Sequence, residues 1–518
     1  MGCRFESDPI YFYRYGRTYP SPHCGHNHSG DGTMTDSLRS KVLSGLFWSV
    51  AQSWSLKLVS LLLFMVLARV LDPHELGVFA IVMVVLGFVN IFVDQGLSEA
   101  IVQRAQISVQ QLNTAFLINF TLSLLIFALL WFIAPLIADH LKIVELTAIL
   151  RVATVGILVS AITFSQQAML QRNFCYRWLA TCALVSTLVS GAAALFFALH
   201  GFGVWSLVIQ ALTASVVSAV MLWFHPQWRF SFDLDFAGVR SLLRYGLNRL
   251  LISLIDFANL RYIDIFLVAA LGPVALGIYS VGVRIYQALG QALSSAIVGV
   301  VHNGFSRVAH DRPRLVAAYY KAFTFTTASV VPLFCLLSAI APEAIVVLFG
   351  SKWAGSADVL RPMAFLGAVQ ALETYNDIAF KALGKPSISL KIVVFRSVVT
   401  FLTLWVMREP SLSSVVYAYV ASQIVTIPLT FYLVRRIVGV SLRTLFSHIW
   451  RFLTACAIGV TVISLGRHIS VVVEMPVLAK LLILSAAGSL SYLGFLAVTA
   501  RAQLREMLTM VRVRRQPI

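Results

Sequence analysis

Leu71-Asp72-Pro73-His74-Glu75-Leu76-Gly77-Val78-Phe79 returns 200 residues later as Leu271-Gly272-Pro273-Val274-Ala275-Leu276-Gly277-Ile278-Tyr279. Each copy carries the chain from the end of one long apolar run into the next. A fainter echo pairs Thr163, Phe164 and Ala168 with Thr374, Tyr375 and Ala379. In both cases six apolar runs separate the copies. An even number of membrane crossings leaves the two copies pointing the same way. The repeat is therefore parallel, about an axis along the membrane normal, and predicts two pseudo-symmetric bundles.

Composition supplies the solvent in which those runs must fold. Of 518 residues, 59% are hydrophobic and 12% charged, where an ordinary soluble domain carries about 25% charged residues. A crossing helix needs about 20 mainly apolar residues, and the sequence offers that repeatedly. Spans are expected at 44–68, 77–97, 114–138, 146–170, 178–199, 203–224, 246–270, 276–301, 321–350, 358–380, 389–407, 413–434, 448–466 and 477–499, fourteen in all. The run 321–350 is either one tilted helix or a helix broken near Pro332 and Pro342. The fold class is an all-α polytopic membrane protein with two six-helix bundles, 36–240 and 241–440, then two additional helices in 441–500. A polar tail, 1–35, and a basic tail, 501–518, flank them.

The net charge of +18 does not point to nucleic acid, because the basic residues sit in short loops between apolar runs rather than on one soluble face. The even-numbered connections hold most of them, from Arg104 to Arg443. The odd-numbered ones hold only Arg69, Lys142, Lys352, Arg408 and Arg467. Cytoplasmic loops carry the excess of Lys and Arg, so both termini are expected inside. Cys3, Cys24, Cys175, Cys182, Cys335 and Cys456 show no CxxC spacing and suggest no disulfide framework. Residues 1–35 have no apolar core of the signal-peptide kind. Met34 is an alternative start, and Cys24, His26 and His28 read as a tail rather than a metal site. No metal or cofactor is expected. Walker, HExxH and GxSxG motifs are missing from the sequence, which points away from an enzyme and leaves ion gradients, membrane potential or consumption of the product as energy sources.

Polar residues are costly in lipid, so those aligned on one helical face should look into a cavity. The first span carries Ser49, Ser53, Lys57 and Ser60, with Gln52 beside them, and the second contributes Asn90 and Asp94. The fourth carries Ser160, Thr163 and Gln167. In the other half the seventh span carries Arg249, Ser253, Asp256 and Asn259, with Arg261 and Asp264 near that face. The eighth carries Ser280, Arg284, Gln287, Gln291 and Ser294, and the tenth Gln370, Glu373, Thr374, Asp377 and Lys381. The stripes fall on matching spans of the two halves, which predicts a central polar passage. For Lys57, Lys381 and Arg396 the alternative is snorkelling to an interface.

Leu67-Ala68-Arg69-Val70-Leu71-Asp72-Pro73 with Leu76-Gly77-Val78-Phe79 resembles the turn after the first helix of polysaccharide flippases. Asp264-Ile265-Phe266-Leu267-Val268 with Leu271-Gly272 and Leu276-Gly277-Ile278-Tyr279-Ser280 resembles their second-half stretch, with Ala269 and Ala270 departing from it. The family is the Wzx-type polysaccharide transporter branch of the multidrug/oligosaccharidyl-lipid/polysaccharide exporter superfamily. The resemblance covers about residues 36 to 440. It implies translocation of an undecaprenyl-pyrophosphate-linked oligosaccharide to the outer leaflet of the bacterial inner membrane by alternating access, with the Pro73 and Pro273 turns at the outer gate. Partners implied are the lipid-linked substrate, membrane lipid, and the polymerase and chain-length machinery.

With that substrate, Arg249, Arg261, Arg284 and Lys57 are the candidates for replacing the water around a pyrophosphate. Gln52, Gln287, Gln291 and Gln370 are candidates for sugar hydroxyls. Asp256, Asp264, Asp377 and Asp94 are candidates for charge balance or a coupling ion. A multidrug antiporter and a lipid II flippase of the same superfamily are the competing readings. A glycan polymerase or ligase is disfavoured because no outer loop is long enough to carry its catalytic part.

Overall fold

A computed structural model describes residues 13–14, 17–18, 56–94, 97–103, 107–173, 175–224, 228–407 and 409–501. Gln52, Met34, the Cys24/His26/His28 cluster and Arg408 lie outside the described residues, as do the side chains of Asp94 and Arg249. Two short strands, β1 (Tyr13–Arg14) and β2 (Arg17–Thr18), pair antiparallel. The other described elements are helices. In chain order these are α1 (56–70), α2 (Pro73–Asp94), α3 (Leu97–Gln103), α4 (Val109–Leu141), α5 (Leu146–Ala153), α6 (Val155–Arg172), α7 (Tyr176–Leu199) and α8 (Val204–Phe224). There follow α9 (Phe236–Val308), α10 (Arg312–Ala339), α11 (Ala341–Phe349), α12 (Ala357–Ala382), α13 (Pro386–Trp405), α14 (Leu412–Val425), α15 (Ile427–Ile437), α16 (Leu442–Gly466), α17 (Ser470–Glu474) and α18 (Val477–Thr499).

Eleven segments among the described residues are long and apolar enough to cross a membrane. One of them, Ser253–Leu293, takes in parts of both the seventh and the eighth expected spans. The first and tenth expected spans fall on 56–70 and Ala357–Ala382, and the second of these carries Asp358, Arg361, Glu373, Asp377 and Lys381. Several spans are broken for identifiable reasons. Helical geometry fails within α9 at Gly272 (φ 78°, ψ −174°), a conformation open to glycine, and Pro273 then opens the second arm. The run expected at 321–350 ends α10 at Ala339 and restarts as α11. Pro342 lies in the first turn of α11, where its missing N–H costs nothing, while Pro332 stays inside α10. Large apolar side chains such as Phe132, Leu136, Trp405 and Leu490 stand exposed, as a lipid-facing surface requires.

The repeat seen in the sequence meets itself in space. A Cβ added at Gly77 would lie 1.8 Å from the carbonyl oxygen of Pro273, and one at Gly277 would lie 2.0 Å from that of Pro73. Copy touches copy by equivalent residues, the signature of a two-fold relation. The contact is backbone on backbone, so it exists only because both positions lack a Cβ. Around it Leu67, Ala68, Leu71, Leu76 and Val281 bury against Phe349 and Trp353.

The connection between the bundles is strapped to the first of them. Asn113 of α4 is fully buried, donates from Nδ2 to Ser231 Oγ (2.8 Å) and the Asp233 carbonyl (2.9 Å), and accepts from Trp228 Nε1 (2.8 Å). Asp235 N–H donates to Thr114 Oγ1 at 2.8 Å. Helices α16 and α18 pack on the second bundle, where Phe452, Cys456 and Tyr492 join Val330 and Phe334 in one buried cluster. Gly459 and Gly488 let those two helices approach closely.

Candidate functional site

A cavity of about 1150 Å³ opens between α1, α2, α3, α4, α6, α7, α8 and the second arm of α9. Lys57 on α1 and Arg284 on α9 line it, and none of the lining residues among those described is a carboxylate. Lys57 and Ser60 are three residues apart, so both point the same way from α1. Across the cavity, Arg284, Gln287 and Gln291 do the same on α9. Lys57 Nζ donates to the Gln291 carbonyl at 3.3 Å. Arg284 Nη2 reaches Ser60 Oγ at 3.4 Å, and its guanidinium lies 4.5 Å from the centre of the Phe64 ring. Each cation therefore reaches from its own bundle to the other with a long, weak contact. Neither has an ion-pair partner among the described residues. Such donors are available to an anion.

The opposite wall has complementary chemistry. Ser160, Ser186, Thr187 and Ser215 each spend their hydroxyl proton on a backbone carbonyl three or four residues earlier. What they present to the cavity is oxygen lone pairs, which accept from hydroxyl groups. Cationic donors thus face a wall of neutral acceptors, with Gln167 and Gln171 able to serve both ways.

The other predicted residues divide. Gln287 and Gln291 line the same cavity as Lys57 and Arg284, and Asp94 directly follows the lining residue Val93. Arg261 instead pairs with Asp264 at 2.9 Å on the first arm of α9. Asp256 is exposed on that arm, and Asn259 bonds Ser397 of α13. Gln370 and Asp377 line a second cavity of about 400 Å³ inside the second bundle. There Asp377 pairs with Lys381 at 2.7 Å, and Gln370 accepts from the Tyr286 hydroxyl. The same cavity holds Arg396 Nη2 on Glu373 Oε2 at 2.6 Å, with Thr430 Oγ1 on Glu373 Oε1 at 3.2 Å and Arg396 Nε on Thr426 Oγ1 at 3.1 Å. These pairs in the second bundle are closed on themselves. Of the charged side chains that line the two cavities, Lys57 and Arg284 are the ones without an ion-pair partner among the described residues.

Sequence reasoning missed the contribution of α7 and α8. On α8 Ser215 and Ser218 are three residues apart and both line the cavity, so there the stripe rule applied to Lys57 contained the signal.

The family model described as polysaccharide biosynthesis protein matches residues 66–358, more than half of the chain and both copies of the repeat. The chain belongs to this family. Its relatives include the succinoglycan biosynthesis transport protein ExoT of Rhizobium meliloti (strain 1021). That protein is 25% identical over 489 residues, covering 93% of this chain and 98% of the relative. The teichuronic acid biosynthesis protein TuaB of Bacillus subtilis (strain 168) is 23% identical over 491 residues, covering 91% and 98%. Among solved structures, the lipid II flippase MurJ in an inward closed conformation superposes with a TM-score of 0.71 at 12% identity, covering 88% of this chain and 99% of that one. At that identity the likeness is one of fold. The polysaccharide biosynthesis family and this fold make the chain a multi-pass membrane transporter in polysaccharide biosynthesis.

Proposed function

We propose that this protein flips a polyprenyl-pyrophosphate-linked oligosaccharide repeat unit across the bacterial inner membrane, from the cytoplasmic to the outer leaflet, by alternating access. The observation that carries the reading is the cavity with two unpaired cations on one side and hydroxyl acceptors on the other. A pyrophosphate cannot leave water without charged donors to replace its hydration. Lys57 and Arg284 supply them from α1 and α9, while the sugar hydroxyls turn to α6, α7 and α8 and the prenyl chain stays in lipid. Each charge-assisted hydrogen bond contributes about 1.5–3 kcal/mol.

Moving these donors onto phosphate releases their weak holds across the cavity, so substrate binding frees the two bundles to rock. The Pro73 and Pro273 turns form the outer gate, closed in this state. Arg261–Asp264, Lys381–Asp377 and Arg396–Glu373 are internal counter-ions of the second bundle. Both termini lie in the cytoplasm, and the polymerase and chain-length machinery take the product on the far side.

A cationic drug, the cargo of the antiporter reading, would be repelled by the same two side chains. A lipid II flippase shares the fold, and the family match is what favours other glycans. The test is binding of purified protein in nanodiscs to a short polyprenyl pyrophosphate against the free polyprenol. Binding of the pyrophosphate only, weakened about tenfold or more by Arg284→Gln, supports the reading. Equal binding of the two lipids rejects it.

A further inference from the structure

Positive charge on outer loops works against the topology that the rest of the chain enforces, so each such residue invites a structural account. Of the five that the sequence places there, Arg408 lies outside the described residues, and Lys142 caps α4 in a left-handed conformation with φ 57°. The remaining three, Arg69, Lys352 and Arg467, converge on one segment, the run 341–356 made of α11 and the short 3-10 helix Ser351–Ser356 that follows it.

Arg467, just past α16, makes a two-pronged pair with Glu343 in the first turn of α11. Its Nε and Nη2 donate to the two carboxylate oxygens at 2.8 Å each, and Nη2 also reaches the Ala339 carbonyl at 2.7 Å. The other end of α11 is held from the first bundle, where Arg69 donates to the carbonyls of Val347 and Leu348. Those carbonyls belong to the last turn of a helix, where no intrahelical donor remains for them. Trp353, fully buried, donates Nε1–H to the Ala68 carbonyl at 2.7 Å, and Lys352 lies 3.9 Å from Asp72. Ser356 donates to the carbonyl of Ile278 at 2.8 Å. Ala68, Arg69 and Asp72 immediately precede the Pro73 turn, and Ile278 immediately follows Gly277. The segment therefore grips both copies of the repeat turn while Arg467 anchors it to a helix outside the repeat.

We infer that residues 341–356 are a latch on the outer gate, in which Arg69 is the bolt that breaks when the gate opens and Arg467 is the positioning residue that keeps the latch on the second bundle. The inference rests on the alternating-access reading and gives the last two long helices a function, since α16 and α18 hold the gate's second half in place. Arg69 and Trp353 have to let go of each other's bundle for the turns to part. The Arg467–Glu343 pair lies within the second bundle and its appended helices, and it stays made throughout.

The test places a reporter cysteine at Ser215, in the cavity wall, in a chain whose six native cysteines are replaced, and measures its reaction with a membrane-impermeant maleimide added outside intact cells. Arg69→Gln should raise the labelling rate about tenfold, the equilibrium equivalent of one lost charge-assisted bond. Arg467→Gln should raise it in the same direction, and the exchange Arg467→Glu with Glu343→Arg should return it towards the parent rate. A merely structural role for the pair would lower protein amount without changing the rate per molecule. Labelling that stays at the parent rate in Arg69→Gln, at normal protein amount, overturns the latch. Raised labelling with no movement of lipid-linked oligosaccharide by the unsubstituted protein, its Ser215 intact, leaves the latch standing and removes the flippase reading.

Discussion

Placing a methyl group at the contact between the two repeat turns should hold the outer gate open. In Gly77→Ala the new Cβ would sit 1.8 Å from the Pro273 carbonyl oxygen, and in Gly277→Ala 2.0 Å from the Pro73 carbonyl oxygen and 3.0 Å from the Gly77 nitrogen. Neither neighbour is a side chain that can swing aside. Each turn has to retreat by more than 1 Å to restore ordinary van der Waals contact. Overpacking of this kind costs about 1–3 kcal/mol per site, and the cost falls only on the state in which the turns touch. One substitution should therefore favour the open gate by about 5-fold to 150-fold, and the double variant by more. Spin labels at Val144, beyond α4, and Glu409, beyond α13, read the separation of the two bundles at that end. Both positions are exposed. The distance distribution should move to longer values in each Ala variant and further in the pair, with helix content unchanged. A distribution unmoved in the double variant would refute the reasoning, since the closed contact would then not be the one described.

Lys57→Gln and Arg284→Gln should each reduce transport about tenfold or more at normal protein amount, measured as outer-leaflet glycan per molecule of protein. Arg284→Lys should recover part of the loss, because it restores charge but not the planar fork. Glu373→Gln, which leaves the partly buried Arg396 without its counter-ion, should cost about 1–3 kcal/mol of stability and lower the melting temperature in detergent. Replacing both members, Glu373→Leu with Arg396→Met, should cost less than that. Asn113→Ala removes three bonds from the strap 228–235 and should cost about 1–3 kcal/mol. Faster proteolysis between α8 and α9 checks this, and Asn113→Ala at the parent rate counts against the strap.

How much of this was legible in the sequence depended on whether a signal was local. The break at Gly272-Pro273 and the parallel repeat needed only residue types at a spacing, and both appear as read. The expected stripe on α1 and on the second arm of α9 likewise placed Lys57, Arg284, Gln287 and Gln291 on one cavity, because helical period alone decides which residues share a face. The rest required knowledge of what lies opposite. Arg261 and Arg284 look alike on paper, yet Asp264 is one turn from the first and engages it, whereas Arg284 faces Ser60 and Phe64 from the other bundle. Arg396 reads as a residue near a helix end until Glu373 of α12 is brought to it. Ser186 and Ser215 escaped notice because a hydroxyl bonded to its own helix is cheap in a membrane and common, so the pattern carries weight only once a cavity is found beside it. The reciprocal contact of Gly77 and Gly277 was present in the sequence as a repeat but not as a contact.

Movement of a lipid-linked glycan from one leaflet to the other is read most directly as the sidedness of that glycan in spheroplasts depleted of this protein, with a membrane-impermeant glycan label. A flippase predicts that labelled intermediate disappears from the outer leaflet while unlabelled intermediate accumulates inside, and that the parent chain but not Arg284→Gln restores the outer signal. Unchanged sidedness after depletion would contradict it.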